Sequence, residues 1–152
     1  KLKDASLGKN MKIRAVIDVN VFISSIIGPL GSSRKILLAW DKGQFDVISS
    51  PGIIGELEEK LKLPRITKHF KLSAALDVYW IKELLKTQSE IISVPADEIE
   101  PITGDSEDDY VLATAHLGKV DYLITGDKRL QDLKNYKGAK ILSPKEFIKK
   151  LK

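Results

Sequence analysis

Cysteine is absent from the 152-residue chain, and only two histidines are present. Disulfide bonds and thiolate metal sites are therefore excluded, and any metal ion must be held by oxygen or imidazole ligands. No apolar stretch approaches the roughly 20 residues that a membrane span requires, and the N-terminus lacks the apolar core of a signal peptide. We therefore expect a soluble protein of the reducing cytoplasm, without membrane association.

The composition suits one ordinary folded domain. Hydrophobic residues make up 43% of the chain, which is enough for a single sizeable core at this length. A strand-like run begins directly after Met11. We therefore interpret residues 1–10 as a loose tail or an expression remnant, and residues 11–152 as the domain.

Charge is unevenly distributed along the second half of the chain. Nine acids stand against one base between Asp97 and Asp127, whereas nine bases stand against two acids from Lys128 to Lys152, although the net charge is only +4. A solvated surface is the commoner explanation of such a split. The alternative is an acidic cation site beside a basic landing area for a polyanion.

Short apolar runs alternate with helical patterns along the chain. Apolar residues at helical spacing, flanked by capping residues, predict helices within residues 32–43, 50–63, 72–88, 106–118 and 144–152. Runs rich in β-branched residues predict strands within residues 12–18, 44–50, 90–95, 121–126 and 139–143. This alternation indicates an α/β fold, a three-layer α/β/α sandwich around a mainly parallel, roughly five-stranded sheet.

Four acidic residues come from four separate elements of this fold. Asp18 and Asp127 follow predicted strands, whereas Glu56 and Asp108 lie in predicted helices. In open α/β sheets the functional crevice lies at the carboxyl ends of the strands, where Asp18 and Asp127 are expected. The glycine of "TGD" (125–127) predicts a sharp turn that presents Asp127 to this crevice.

Simpler explanations exist for each acid taken alone. An aspartate after a strand is most often a turn former or a helix cap, and Glu56 is equally explained by a surface salt bridge. Asp108 precedes Val111 and Leu112 by three and four residues, so it shares the helix face that packs on the sheet. Asp105 is then the natural cap, and Glu107 and Asp109 are interpreted as surface acids.

Carboxylates that converge in one crevice repel each other unless a cation neutralises them. Hard oxygen ligands suit Mg²⁺ or Mn²⁺, and Mg²⁺ usually retains waters and substrate phosphates among its ligands. We therefore expect a divalent metal site, with Asp18, Asp108 and Asp127 as metal ligands, that acts on phosphates.

Three segments resemble successive motifs of the PIN-domain family: "VIDVNVFISS", "SPGIIGELEEKL" and "DSEDDYVLATAHLGKVDYLITGDKRLQDL". The resemblance covers nearly all of residues 11–152 and is nearest to the toxin components of prokaryotic toxin–antitoxin pairs. It implies a ribonuclease dependent on Mg²⁺ or Mn²⁺, with Asp18, Glu56, Asp108 and Asp127 as catalytic acids and Asn20 and Thr125 as supporting polar residues. The motif "DSEDDY" has a second adjacent aspartate, so Asp109 is a further candidate for the role of Asp108.

The partners expected from this resemblance are an RNA substrate, a small cognate antitoxin protein and a second copy of the chain. We expect the homodimer to use apolar helix surface such as that around Trp80. A basic run begins at the end of the predicted helix that contains Glu56. Contact with RNA phosphates and a solvated helix surface explain this run equally well. It consists of Lys60, Lys62, Arg65, Lys68 and Lys71.

Other functions fit the sequence less well. A phosphatase with an aspartyl nucleophile needs a second aspartate two residues after the first, and that position holds Asn20. A phospho-receiver domain needs an aspartate at the end of a middle strand, but "QFDVISS" ends in serines. The remaining alternative is a catalytically silent RNA-binding or protein-interaction module of the same fold, which would be expected to have lost an acid.

Overall fold

The computed structural model describes residues 12–28 and 31–151. The proposed tail, residues 1–10, lies outside the described residues. The strands are β1 Arg14–Ile17, β2 Asp46–Ser49, β3 Ser89–Ile91, β4 Tyr122–Ile124, β5 Asn135–Tyr136 and β6 Ala139–Leu142. The helices are α1 Val19–Ile27, α2 Ser32–Asp41, α3 Pro51–Lys60, α4 Pro64–Thr67, α5 Ala74–Thr87, α6 Ser106–Leu117, α7 Lys128–Leu133 and α8 Pro144–Lys150, with a 3₁₀ turn at Ala96–Glu98.

The described strands form one six-stranded sheet in the order β3-β2-β1-β4-β6-β5. All neighbours pair in parallel except β5 and β6, which form an antiparallel hairpin. The predicted three-layer α/β architecture is confirmed. The hairpin strand β5 adds one strand to the five that the sequence predicts.

The order of the strands determines where a crevice forms. From β1 the chain moves outward through β2 to β3, and then returns to the other side of β1 to form β4. Connections between parallel strands are right-handed in nearly all proteins. Connections that run toward opposite edges of the sheet therefore place their helices on opposite faces. The strand order therefore reverses between β1 and β4, and such a switch point opens a crevice at the carboxyl ends of these strands.

Burial explains why the central strands are almost wholly apolar. Ala15, Val16 and Ile17 of β1 are at most 1% exposed, as expected of a parallel strand that helices cover on both faces. Trp40 is equally buried, and its indole Nε1 donates a hydrogen bond to the Gln88 carbonyl at 2.9 Å. A rigid core thus lies directly beneath the ends of β1 and β4.

Helix α1 is an element that the strand and helix patterns did not predict. It begins directly after Asp18, whose carboxylate accepts a hydrogen bond from the Val19 amide at 2.8 Å. Within the described residues no single helix is long and apolar enough to cross a membrane, although α1 and α2 together, with a bend of 104° between them, meet the length and composition required.

Candidate functional site

Asp18 lies at the end of β1 and is only 6% exposed. Its Oδ1 caps α1, while its Oδ2 accepts hydrogen bonds from Thr125 Oγ1 at 2.7 Å and Asn20 Nδ2 at 3.2 Å. Burial raises the pKa of Asp18, and the hydrogen bonds from Thr125 and Val19 oppose that rise. Asp18 is therefore a carboxylate held rigidly in a poorly solvated place, where an additional cation would stabilise its charge.

Thr125 and Asn20 connect the end of β1 to the end of β4. The fully buried Thr125 hydroxyl donates to Asp18 and accepts a hydrogen bond from the Asp127 amide at 3.0 Å. Asn20 Oδ1 accepts one from the Gly126 amide, also at 3.0 Å. These bonds fix Asp127 relative to Asp18.

The glycine of "TGD" has less effect on the backbone than the sequence suggests. Gly126 does not adopt a positive φ angle, and an added Cβ would only meet Asn20 Oδ1 at 3.4 Å, which is ordinary contact. The predicted need for glycine at this turn is therefore wrong. The hydrogen bonds of Asn20 and Thr125 shape the turn instead.

Asp127 uses its two carboxylate oxygens differently. Its Oδ1 accepts a hydrogen bond from the Arg129 amide at 2.8 Å and so caps α7. Its Oδ2 lies 3.6 Å from the Arg129 guanidinium. The capping role, which the sequence offered as the simpler explanation of Asp127, is therefore present, and it leaves Oδ2 facing the crevice.

Asp108 and Asp109 are adjacent in α6 but face different surroundings. The Asp108 side chain is 13% exposed, and its Oδ2 lies 3.1 Å from Arg129 Nη2. Burial, together with the charges of Asp127, Asp105 and Asp18, raises the pKa of Asp108 to about 6. The same Arg129 nitrogen lies 3.6 Å from Asp127 Oδ2, so Asp108 and Asp127 face one crevice.

The prediction that Asp109 is a surface acid is wrong, because the residue is only 7% exposed. Its Oδ1 accepts hydrogen bonds from the Ile102 amide, the Thr103 amide and the Thr103 hydroxyl. The loop before α6 covers this side of the helix, which the spacing of apolar residues in α6 could not show. Asp109 therefore holds that loop in place.

Glu56 lies on α3 at the other side of the crevice. Its side chain is 14% exposed, and its Oε2 lies 2.8 Å from Lys60 Nζ one helical turn later. The charge of Glu56 contributes to the raised pKa of Asp18 and, after partial burial, to that of Glu107. The salt bridge proposed as an alternative for Glu56 is therefore present, yet the same side chain also lies close enough to Asp18 to interact with it.

Two residues of the crevice were not identified from sequence. Glu107 is exposed as expected but lies beside Glu56. Arg129 follows Asp127 by two residues, and the first turn of α7 brings its guanidinium back to Asp127 and Asp108. The available signal for Arg129 was a basic residue in the first turn of the helix that Asp127 caps.

The structure separates the basic run into two groups. Lys60 and Arg65 line an open groove of about 730 Å³ together with Glu56 and Glu107. Lys62, Lys68 and Lys71 are exposed but do not line that groove. Only part of the run is therefore placed beside the acids.

The donor set and the charge of the crevice fit a hard divalent cation. Asp18, Asp108 and Asp127 supply only oxygen atoms, and the raised pKa values of Asp18 and Asp108 reflect burial and mutual repulsion. Within residues 12–28 and 31–151, however, no three carboxylates or histidines lie close enough together to form a finished metal site. A cation coordinated by all three acids would therefore require their carboxylates to move closer together.

Comparisons with known proteins identify the family of the chain. A family model described as a PIN domain matches residues 14–129. The chain is 30% identical over 148 residues to the uncharacterized protein MJ1680 of Methanocaldococcus jannaschii, and the match covers 92% of each chain.

Two solved structures share the fold. VapBC2 from Rickettsia felis, bound to a DNA fragment from the promoter, has a TM-score of 0.55 and 13% identity, and the match covers 86% of this chain and 98% of that one. PAE2754 from Pyrobaculum aerophilum has a TM-score of 0.58 and 15% identity, over 91% and 89%. PIN domains are generally nucleases. The family model spans more than half of the sequence, so the chain belongs to the PIN-domain family.

Proposed function

We propose that the chain is an endoribonuclease that depends on Mg²⁺ or Mn²⁺, with residues 11–152 forming one nuclease domain. The observation that supports this most is the placement of Asp18, Asp108 and Asp127 around one crevice at the switch point of the sheet. Arg129 contacts both Asp108 and Asp127, and hydrogen bonds through Thr125 link Asp127 to Asp18. A solvated acidic surface would not place an aspartate that is 6% exposed among other acids.

The proposed roles follow from the position of each side chain. Asp18, Asp108 and Asp127 hold the cation, and Glu56 at the opposite wall orients the attacking water and accepts its proton. When bound, the cation supplies a Lewis acid that activates water and offsets charge on the phosphate. Asn20 and Thr125 position Asp18 and Asp127 through their hydrogen bonds, and Asp109 supports the site by holding the loop before α6.

The proposed substrate is RNA, which enters along the groove that Lys60 and Arg65 line. Lys62, Lys68 and Lys71 extend the positive surface beyond that groove and are proposed to contact phosphates farther along the strand. Because water is the nucleophile and the 2′-hydroxyl is not needed, the products carry 5′-phosphate and 3′-hydroxyl ends.

A toxin–antitoxin setting is part of the proposal. The structural neighbour from Rickettsia felis is described as VapBC2 bound to a promoter fragment. By analogy in fold, we infer that a small antitoxin protein encoded nearby covers the crevice of this chain, and that the chain forms a homodimer. We further propose that it acts in the cytoplasm, where the RNA is found.

The direct test is an RNA cleavage assay with the purified protein and Mn²⁺, with Asp18→Asn as the matched variant. Asp18→Asn keeps the shape of the side chain while it removes the charge of the most buried acid. We expect wild-type cleavage that EDTA abolishes, with 5′-phosphate ends, and a loss of at least about 100-fold in the variant, the scale of an electrostatic catalytic group.

Two outcomes would contradict the proposal. Cleavage that resists EDTA and yields cyclic phosphates would show a different mechanism. RNA binding without any cleavage, equal in wild type and Asp18→Asn, would favour the silent binding module.

A further inference from the structure

Arg129 makes an unusual set of contacts in the crevice. A single guanidinium nitrogen, Nη2, lies 3.1 Å from Asp108 Oδ2, 3.6 Å from Asp127 Oδ2 and 3.7 Å from Asp105 Oδ2. These acids come from the start of α6 and from the end of β4. Arg129 therefore ties together two elements through the oxygen atoms that the proposed cation would use.

The same oxygens cannot serve both positive groups fully. A divalent cation needs direct coordination by carboxylate oxygens, whereas a guanidinium hydrogen-bonds to them and remains charged at every pH at which the protein is folded. The guanidinium also repels a nearby cation. Binding of the cation must therefore displace Arg129 from Asp108 and Asp127, or proceed against its charge.

Displacement of Arg129 is structurally easy. Its side chain is 63% exposed, and α7 places it at the rim of the crevice, where it has access to water. Its backbone amide bonds to Asp127 Oδ1 independently of the side chain. The guanidinium can therefore leave while the cap of α7 stays intact.

We propose that Arg129 is an internal competitor of the divalent cation, which neutralises Asp108 and Asp127 in the cation-free protein and lowers the affinity of the site for the cation. The inference rests on the proposed metal site. Arg129 thereby sets the cation concentration at which half of the sites are occupied.

The chain offers a matched control. Lys128 precedes Arg129 and carries the same charge, but its side chain is 82% exposed and lies 3.6 Å from Asp132, away from the crevice. Lys128→Gln therefore removes one positive charge from the same turn of α7 without removing a contact to Asp108 or Asp127. Comparison with Arg129→Gln separates a local competition from a general change in charge.

The experiment is calorimetric titration of the purified, EDTA-treated and desalted protein with Mn²⁺, alongside the melting temperature of the cation-free protein. We expect Arg129→Gln to bind Mn²⁺ about tenfold more tightly, equivalent to about 1.4 kcal/mol, and to melt at a lower temperature without Mn²⁺. Arg129→Lys, whose compact ammonium contacts fewer oxygens, should fall between the two. Lys128→Gln should change the affinity less than about twofold because exposed charges are well screened.

The outcomes distinguish this inference from the function on which it rests. Unchanged or weaker Mn²⁺ binding in Arg129→Gln, or equal tightening in Lys128→Gln, overturns the role of Arg129 while the metal site stands. No Mn²⁺ binding by wild type or by any variant overturns both the competitor and the metal site.

Discussion

Asp18 and Asp108 carry their charges in different surroundings. Asp18 is buried, and its carboxylate accepts hydrogen bonds from Thr125, Asn20 and the Val19 amide. Asp108 lacks such a set of donors, and its chief positive neighbour is the largely exposed Arg129. The pKa of Asp108 therefore rises to about 6, because burial and the neighbouring acids outweigh that guanidinium.

This shift predicts a pH dependence of the cation-free protein. In the unfolded chain Asp108 ionises near the ordinary aspartate pKa of 3.8, and in the folded protein its pKa is about 6. Between these values the folded state holds the extra proton, so the contribution of Asp108 to the free energy of unfolding falls as the pH rises through this window and is constant above it. Asp108→Asn should therefore raise the melting temperature at pH 7.5 by more than at pH 5.

Thermal melts of wild type and Asp108→Asn in EDTA, from pH 4.5 to 7.5, measure this difference. Asp41→Asn, which removes an exposed acid at the end of α2, serves as the control for net charge. A melting-temperature difference between Asp108→Asn and wild type that stays constant with pH would contradict the assigned environment of Asp108.

The different surroundings of Asp108 and Asp109 could be predicted only in part from the sequence. The helical spacing that selects Asp108 is a local property, so it could be read from sequence. The loop that buries Asp109 folds back over the start of α6, and the contact of Arg129 with Asp108 spans 21 residues. Neither of these contacts leaves a periodic pattern in the chain.

At the scale of elements, the position of Glu56 depends on how closely α3 approaches α6. The Tyr110 hydroxyl accepts a hydrogen bond from the Gly52 amide at 2.9 Å. A Cβ added at Gly52 would lie 2.4 Å from the Tyr110 ring, whereas one added at Gly55, in the same helix, would meet nothing within 4 Å. Gly52 thus permits the contact that brings the two helices together.

Gly52→Ala is therefore expected to destabilise the protein by about 1–3 kcal/mol, the usual cost of overpacking, and to weaken cleavage by displacing Glu56. Gly55→Ala should be neutral or stabilise by up to about 1 kcal/mol, because alanine is the better helix former. Urea denaturation measures both variants. Equal stability of the two variants would show that the contact between Gly52 and Tyr110 is not tight.

Helix α1 and strand β5 are elements that the hydrophobic patterns of the sequence did not predict. The segment "VNVFISSII" is rich in β-branched residues, which favour strands, and it follows β1 after Asp18 alone. The hydrogen bond from the Val19 amide to Asp18 stabilises the start of the helix. Strand β5 has only two residues, and it is defined by its pairing with β6 rather than by its own sequence. The five predicted strands are longer and more apolar and were therefore recognisable.

Across the described residues, the three most exposed large apolar side chains lie on α5 and the turn before it. Leu72, Leu76 and Tyr79 are 106%, 74% and 65% exposed. Trp80, at the centre of the predicted dimer surface, is itself half-buried with the Arg34 guanidinium 4.9 Å from its ring. Any apolar contact between two copies at this face would therefore use its neighbours rather than Trp80.

We expect wild type to be a dimer at micromolar concentration and the double variant Leu76→Lys/Tyr79→Lys to be a monomer with a similar melting temperature, because neither side chain is part of the core. Leu38→Lys places one lysine on an exposed apolar residue of a different helix and should remain dimeric. Native mass spectrometry measures the oligomeric state of all three proteins. A wild type that is monomeric at every concentration tested would contradict the proposed dimer.

The affinity of Asp127→Asn for Mn²⁺ tests whether the acids of the crevice bind a divalent cation. Asparagine is as good a helix cap as aspartate, so the variant keeps the start of α7 while it removes the charge beside Asp108. We expect Mn²⁺ affinity to fall at least about tenfold, while the melting temperature in EDTA is unchanged or higher because carboxylate repulsion is relieved. Unchanged Mn²⁺ binding with a lower melting temperature would contradict this expectation and leave Asp127 as a helix cap alone.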